Sequence, residues 1–267
     1  MAKITAEARE LFNTKAEPYR TLISGILQNE KEILTLIERE SFGTSYKKLI
    51  LCEEMIYIAT IQVLINNLSL LILGTKNTDA LNDGRKMLYK AIIYLEECVT
   101  PLIDAPFSEY EDRVSEIANM PIEKRYYLVR KLGLAIQLII DGFGDNTKWK
   151  WSFVELQGRF AVVSKNLIDL KQASKDYFDP RSLDYDTTVM FIRLVKKLLS
   201  QAGEKYRDRY ELSTHRIDDM RIAISLVLAL RRLCIIINDV DEAEELKKKA
   251  AVWNDRLEKD RSKGVCQ

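Results

Sequence analysis

The sequence contains a single histidine, His215, and that scarcity removes several chemistries at once. Di-iron bundles use two Glu-x-x-His motifs, zinc hydrolases usually several imidazoles, and serine-type triads a histidine base, so one histidine leaves little room for these classes. Glu211 precedes His215 by four residues, and a hydrogen-bonded surface histidine accounts for the pair without any catalytic part.

Cysteine is nearly as uninformative. Cys52, Cys98, Cys234 and Cys266 are far apart, which excludes a Cys-x-x-Cys zinc knuckle. The first three fall on helical apolar faces, where a thiol behaves as a small hydrophobe, and all four read as reduced. No Gly-x-x-x-x-Gly-Lys-Ser/Thr loop occurs, and Gly142-Phe-Gly144 is only a fragment of a dinucleotide fingerprint with no strand-helix unit around it. No cofactor or metal is expected, and no catalytic residue can be named.

Charge of one sign is also missing. With 41 Lys plus Arg against 40 Asp plus Glu, no global field draws the molecule onto double-stranded nucleic acid. The opening residues lack the apolar core of a signal peptide, and Glu7 and Glu10 speak against a transit segment, so a cytoplasmic location is the expectation. Only five Pro and ten Gly interrupt the chain, too few and too widely spaced for the frequent turns of a sandwich or barrel.

What the chain does have is apolar spacing of three and four. Hydrophobic residues make up 47% of 267, enough for a sizeable core. The fold class is therefore all-α: about eight to ten antiparallel amphipathic helices, as one continuous array or as two lobes spanning 1–141 and 142–267. The glycine loop Asp141–Asn146 is the preferred boundary.

A first helix is predicted to open at Pro18, where a missing N–H costs nothing. It is followed by an apolar helix that ends near Gly74. Within that helix, residues 55–73 carry no charge and approach the length of a membrane span. Gln62, Asn66, Asn67 and Ser69 interrupt the run and no strong basic flank supports insertion, so a central buried helix, not a transmembrane segment, is expected. Thr100-Pro101 ends a third helix, and capping boxes are read at Ser108–Glu111 and Ser152–Glu155.

The clearest periodicity is Trp149, Phe153, Leu156, Phe160, Val163, Leu167 and Leu170, a coiled-coil-like seam on one helix. A hairpin through Gln157-Gly158 is the competing reading. A second seam, Ala243, Leu246, Ala250, Trp253 and Leu257, lies on the last helix, which Asp239 caps.

Two places carry enough chemistry to weigh. Asn238-Asp239-Val-Asp241-Glu242 offers oxygen ligands of the kind that hold Mg²⁺ for a diphosphate, yet Asp218-Asp219 lies about five turns, roughly 30 Å, away and cannot share the ion. Capping and charge pairing explain those carboxylates more simply. Phe143, Lys148, Trp149, Lys150, Trp151 and Arg159 interleave aromatic and cationic groups, a composition that anchors protein partners. Its plainer reading is core cover between lobes.

The sequence thus favours a non-enzymatic helical interaction or scaffold protein that binds a protein partner, or itself, through inter-helix grooves or a seam. The alternative is a metal-dependent all-α enzyme acting on an apolar diphosphate or lipid-like substrate.

Overall fold

A computed structural model describes residues 4–144 and 149–264. Among these residues the chain forms ten α-helices and no strand, the all-α architecture its apolar spacing predicts, and the hairpin reading falls away. The helices are α1 Ala6–Arg39, α2 Thr44–Leu73, α3 Thr78–Cys98, α4 Glu111–Glu116, α5 Ile122–Phe143, α6 Val154–Asn166, α7 Leu170–Phe178, α8 Tyr185–Arg209, α9 Ile217–Ile236 and α10 Val240–Ser262. They fall into two compact units, Met1–Cys98 with Leu128–Trp149, and Val99–Tyr127 with Lys150–Gln267.

In the first unit α1 begins at Thr5, whose hydroxyl accepts from the Ala8 amide at 3.2 Å. Pro18 therefore does not open the helix as predicted but lies inside it. Proline is tolerated there because both Pro18 and Thr14, whose carbonyl loses its partner, face solvent. Antiparallel to α1, α2 ends at Gly74 in the left-handed conformation, φ +66°, as expected. The turn into α3 is tied down by the polar residues inside α2's apolar run. Asn66 accepts from the Asn77 amide at 3.0 Å, and Ser69 donates to the Thr75 carbonyl at 2.8 Å.

Close approach of α2, α3 and α5 depends on a glycine. A Cβ at Gly84 would lie 2.6 Å from the Ile139 methyl and 3.3 Å from Gln62. One turn away Leu81 fills the space beside Gly142, so α3 and α5 run antiparallel and α5 runs parallel to α2. Buried Glu30 on α1 is neutralised from α3, where Lys90 pairs with it at 2.5 Å and the Tyr94 hydroxyl donates to it at 2.5 Å.

The second unit is organised around helix ends. The buried Arg125 guanidinium donates to the carbonyls of Ile117 at 2.7 Å, Met120 at 2.9 Å and Leu167 at 3.0 Å, which lie at the end of α4, just before α5 and at the end of α6. Asn166 does the same for Thr100 and Leu102, at 2.8 and 3.1 Å. In the core of this unit α6 is buried nearly all round, and a Cβ at Gly158 would meet the Tyr206 ring at 2.5 Å. Antiparallel packing continues through α8, α9 and α10.

The long seam is not one helix. It breaks after Asn166, where Leu167–Asp169 turns the chain and Asp169 caps α7 by accepting from the Lys171 and Gln172 amides. The expected start at Ser108–Glu111 is displaced, since α4 follows a 3₁₀ turn, Phe107–Glu109, and has Tyr110 at its cap, while α6 begins at Val154 after Phe153, one residue later than the Ser152–Glu155 box places it. Asp239 does cap α10, accepting from Glu242 N.

Candidate functional site

The most apolar helix of the molecule is not fully covered. α2 has Leu51, Cys52, Met55, Ile58, Ala59 and Ile61 buried, yet Ile50, Tyr57, Leu64 and Leu71 are exposed by 52, 51, 47 and 82%. These four stand seven residues apart and form one ridge that drifts only about 20° per heptad around the helix. Glu53, Thr60 and Asn67 fall between them as the second, polar line of the same strip.

Two contacts fix what lies beside the ridge. On one flank Lys131 of α5 pairs with Glu53 at 3.1 Å, and the exposed Leu134 and Leu138 follow it along α5. On the other, Asn29 of α1 donates to Glu54 at 2.6 Å, with exposed Leu22 and Leu36 one heptad to either side. Burial raises the Glu54 pKa against the lowering effect of that hydrogen bond. By length and composition α2 is the helix, among the described residues, that could cross a membrane; 44% of its most apolar 18-residue window is buried. The expected central buried helix is thus buried in part, with the ridge left bare.

The aromatic and cationic residues singled out in the sequence separate into two groups. Phe143 is buried, and Trp149, half-buried, lies against its ring at 4.6 Å and beneath the Arg85 guanidinium at 5.5 Å. In the second unit exposed Lys150 sits 4.7 Å from the half-buried Trp151 ring, and Arg159 lies 3.9 Å from Glu155. Lys148 falls outside the described residues. The residues of both periodic seams on α6 and α10, Leu156, Phe160, Val163, Ala243, Leu246, Ala250, Trp253 and Leu257, are buried within the second unit.

The acidic cluster before α10 is occupied by an ammonium group. Lys196 of α8 donates to Asp239 at 2.8 Å and Glu242 at 2.5 Å, and Cys234 completes a group whose ligand atoms lie within 4.8 Å of one another. Burial opposes the lysine charge, but hydrogen bonds to both carboxylates outweigh it and hold the Lys196 pKa above its ordinary value. The Lys196 hydrogen bond in turn keeps Asp239 below the usual carboxylate range, while burial pushes the Cys234 thiol up to about 11. Asp241 is exposed and outside this group, and Asp219, at the other end of α9, pairs with Arg209 and Thr214. His215 is exposed with φ +50°, ending the π turn Tyr210–Thr214 and lying edge-on to Tyr210.

A cavity of about 190 Å³ in the second unit is lined by Met120, Arg125, Asp169, Gln172, Asp176 and Asp184 among others. Most of its polar groups are already engaged: Arg125 on three carbonyls, Asp169 on the α7 amides, and Asp176 on Gln172 and Ser182. Elsewhere in this unit Lys165 is buried on the Ile103 carbonyl at 2.9 Å, and burial lowers its pKa to about 8. At 2% exposure it has no open approach for a substrate.

Sequence reasoning missed the ridge. Its seven-residue spacing is present in the sequence, but the residues immediately before and after each ridge position are apolar too, so the apolar pattern alone does not mark which stripe remains uncovered. A family model matches residues 8–261, a stretch running through both compact units. No curated protein and no solved structure matches the chain.

Proposed function

The chain belongs to the TP0443 family, whose model covers those residues, and we propose that it is a non-enzymatic helical interaction protein that binds a helical protein partner through the α1–α2–α5 face of its first unit. The observation that carries this reading is the exposed ridge Ile50–Tyr57–Leu64–Leu71. With Leu134 and Leu138 it leaves on the order of 600–700 Å² of apolar side chain open, above the few hundred Å² usual for the largest patch on a monomer. Heptad spacing suits another helix, which can lay its own side chains between these knobs.

Support comes also from where the polar chemistry goes. Lys196, Asp239 and Glu242 neutralise one another, Arg125 and Asp169 serve helix ends, and His215 ends a turn. These groups act as internal ties.

The test is affinity capture together with native mass for the unaltered chain and for Leu64→Glu. Association that is lost in the variant supports the reading. Unchanged association in the variant, or a measurable turnover with no ridge-dependent partner, overturns it.

A further inference from the structure

The partner of this face can be named from the face itself. We propose that the α2 ridge pairs with the α2 ridge of a second copy of this chain, antiparallel, about a twofold axis at Thr60; this rests on the functional reading above and specifies its partner.

The ridge is self-complementary when reversed. Counting outward from Thr60, Tyr57 and Leu64 stand on either side, then Glu53 and Asn67, then Ile50 and Leu71. Rotation about an axis at the middle sets Tyr57 against Leu64, Glu53 against Asn67, and Ile50 against Leu71 of the other copy, so apolar meets apolar and a carboxylate meets an amide donor. In a parallel pair like would face like, and the two Glu53 carboxylates would repel. The isologous arrangement asks the same patch to serve both copies, which this pattern does without a second surface.

Area and charge agree with it. The open apolar surface of the ridge and α5, on the order of 600–700 Å², approaches the roughly 800 Å² that each partner contributes to a stable interface. Leu22 and Leu36 on α1 and the aliphatic stem of Lys131 widen the rim toward that value. A bilayer fits the same face poorly. Glu53, paired with Lys131 at 3.1 Å, together with Thr60 and Asn67, runs along the middle of the strip, where lipid would strand polar groups but a second helix can satisfy them.

Sedimentation of the intact chain at micromolar concentration tests the pairing, with Leu64→Glu and Thr60→Cys as variants. Leu64 is exposed and Thr60 half-buried, its hydroxyl donating to the Tyr57 carbonyl of its own helix at 2.7 Å, and unchanged circular dichroism checks that both variants fold. A mass twice that of the chain, reduced to one copy by Leu64→Glu, with Thr60→Cys forming a chain-to-chain disulfide under mild oxidation, is the expected result. Dimers that Leu64→Glu leaves intact, or in which Thr60→Cys forms no link, overturn it. A monomer that captures a different helical protein through Leu64 overturns the self-pairing and leaves the interaction role standing. A monomer that instead floats with anionic phosphatidylserine vesicles, and loses this in Leu64→Glu, overturns self-pairing in favour of a membrane surface. A monomer with no ridge-dependent binding of any kind overturns both readings.

Discussion

Lys196 joins α8 to the start of α10 through two carboxylates. Its ammonium lies between Asp239 and Glu242, with the Cys234 thiol beside them, and it draws the N-terminus of α10 onto α8. Replacing it by Met leaves two carboxylates facing each other, one of them depended on as a helix cap. Lys196→Met should lower stability by roughly 1–3 kcal/mol in chemical denaturation. Asp239 is held below its ordinary pKa, so its contribution is complete above the unfolded value and is lost as pH falls through the folded one. In the variant that acid loss should flatten.

Lys165 has the opposite sense. Burial lowers its pKa from 10.5 to about 8, so between those values the unfolded chain holds a proton that the folded chain has released. Stability attributable to this residue therefore rises with pH over that window, by up to about 3 kcal/mol, and is absent below it. Denaturant melts of the unaltered protein and Lys165→Met from pH 7 to about 10.5 should diverge in that direction; parallel curves would contradict it.

Glycine at 158 is a third residue whose role is set by one distance. The Tyr206 ring occupies the place of a Cβ, 2.5 Å away, and is itself buried. Gly158→Ala should cost about 1–3 kcal/mol through displacement of that ring, measured as a fall in denaturation midpoint.

At the scale of elements, helix existence was legible in the sequence and helix boundaries less so. Apolar spacing marks α3, α5, α9 and α10 because each buries one stripe or nearly its whole circumference, and Gly74 and Asp239 end and begin helices for local backbone reasons. Pro18 misled because proline is compatible with a helix start and equally with an exposed interior position, and only the Thr5 cap tells them apart. Pro18→Ala should restore the Thr14 hydrogen bond and raise stability by roughly 1–3 kcal/mol, seen as a higher melting temperature. The seam at 149–170 misled differently. Leu156, Phe160 and Val163 lie in α6 and Leu170 in α7, joined at Leu167–Asp169, and side-chain periodicity does not record a turn whose Leu167 carbonyl is satisfied by Arg125 from elsewhere in the chain.

The candidate site was least legible of all. Of the residues the sequence singled out, Phe143 and Trp149 come together with Arg85, and Lys150 with Trp151, each as a local stacking contact. The ridge on α2 could not be seen because apolar character alone does not say which side of a helix neighbours will cover. That requires Glu53 to be found on Lys131 and Glu54 on Asn29.

For the molecule as a whole, the deciding property is whether the bare side of α2 is covered in solution. The most direct measurement is the native mass of the unaltered protein by sedimentation equilibrium across about 1–100 µM, a range that brackets the affinity expected of a modest interface. A reversible rise from one copy to two, with the higher limit at two, is the predicted result. One copy throughout, with the ridge freely labelled by an apolar dye, would contradict it.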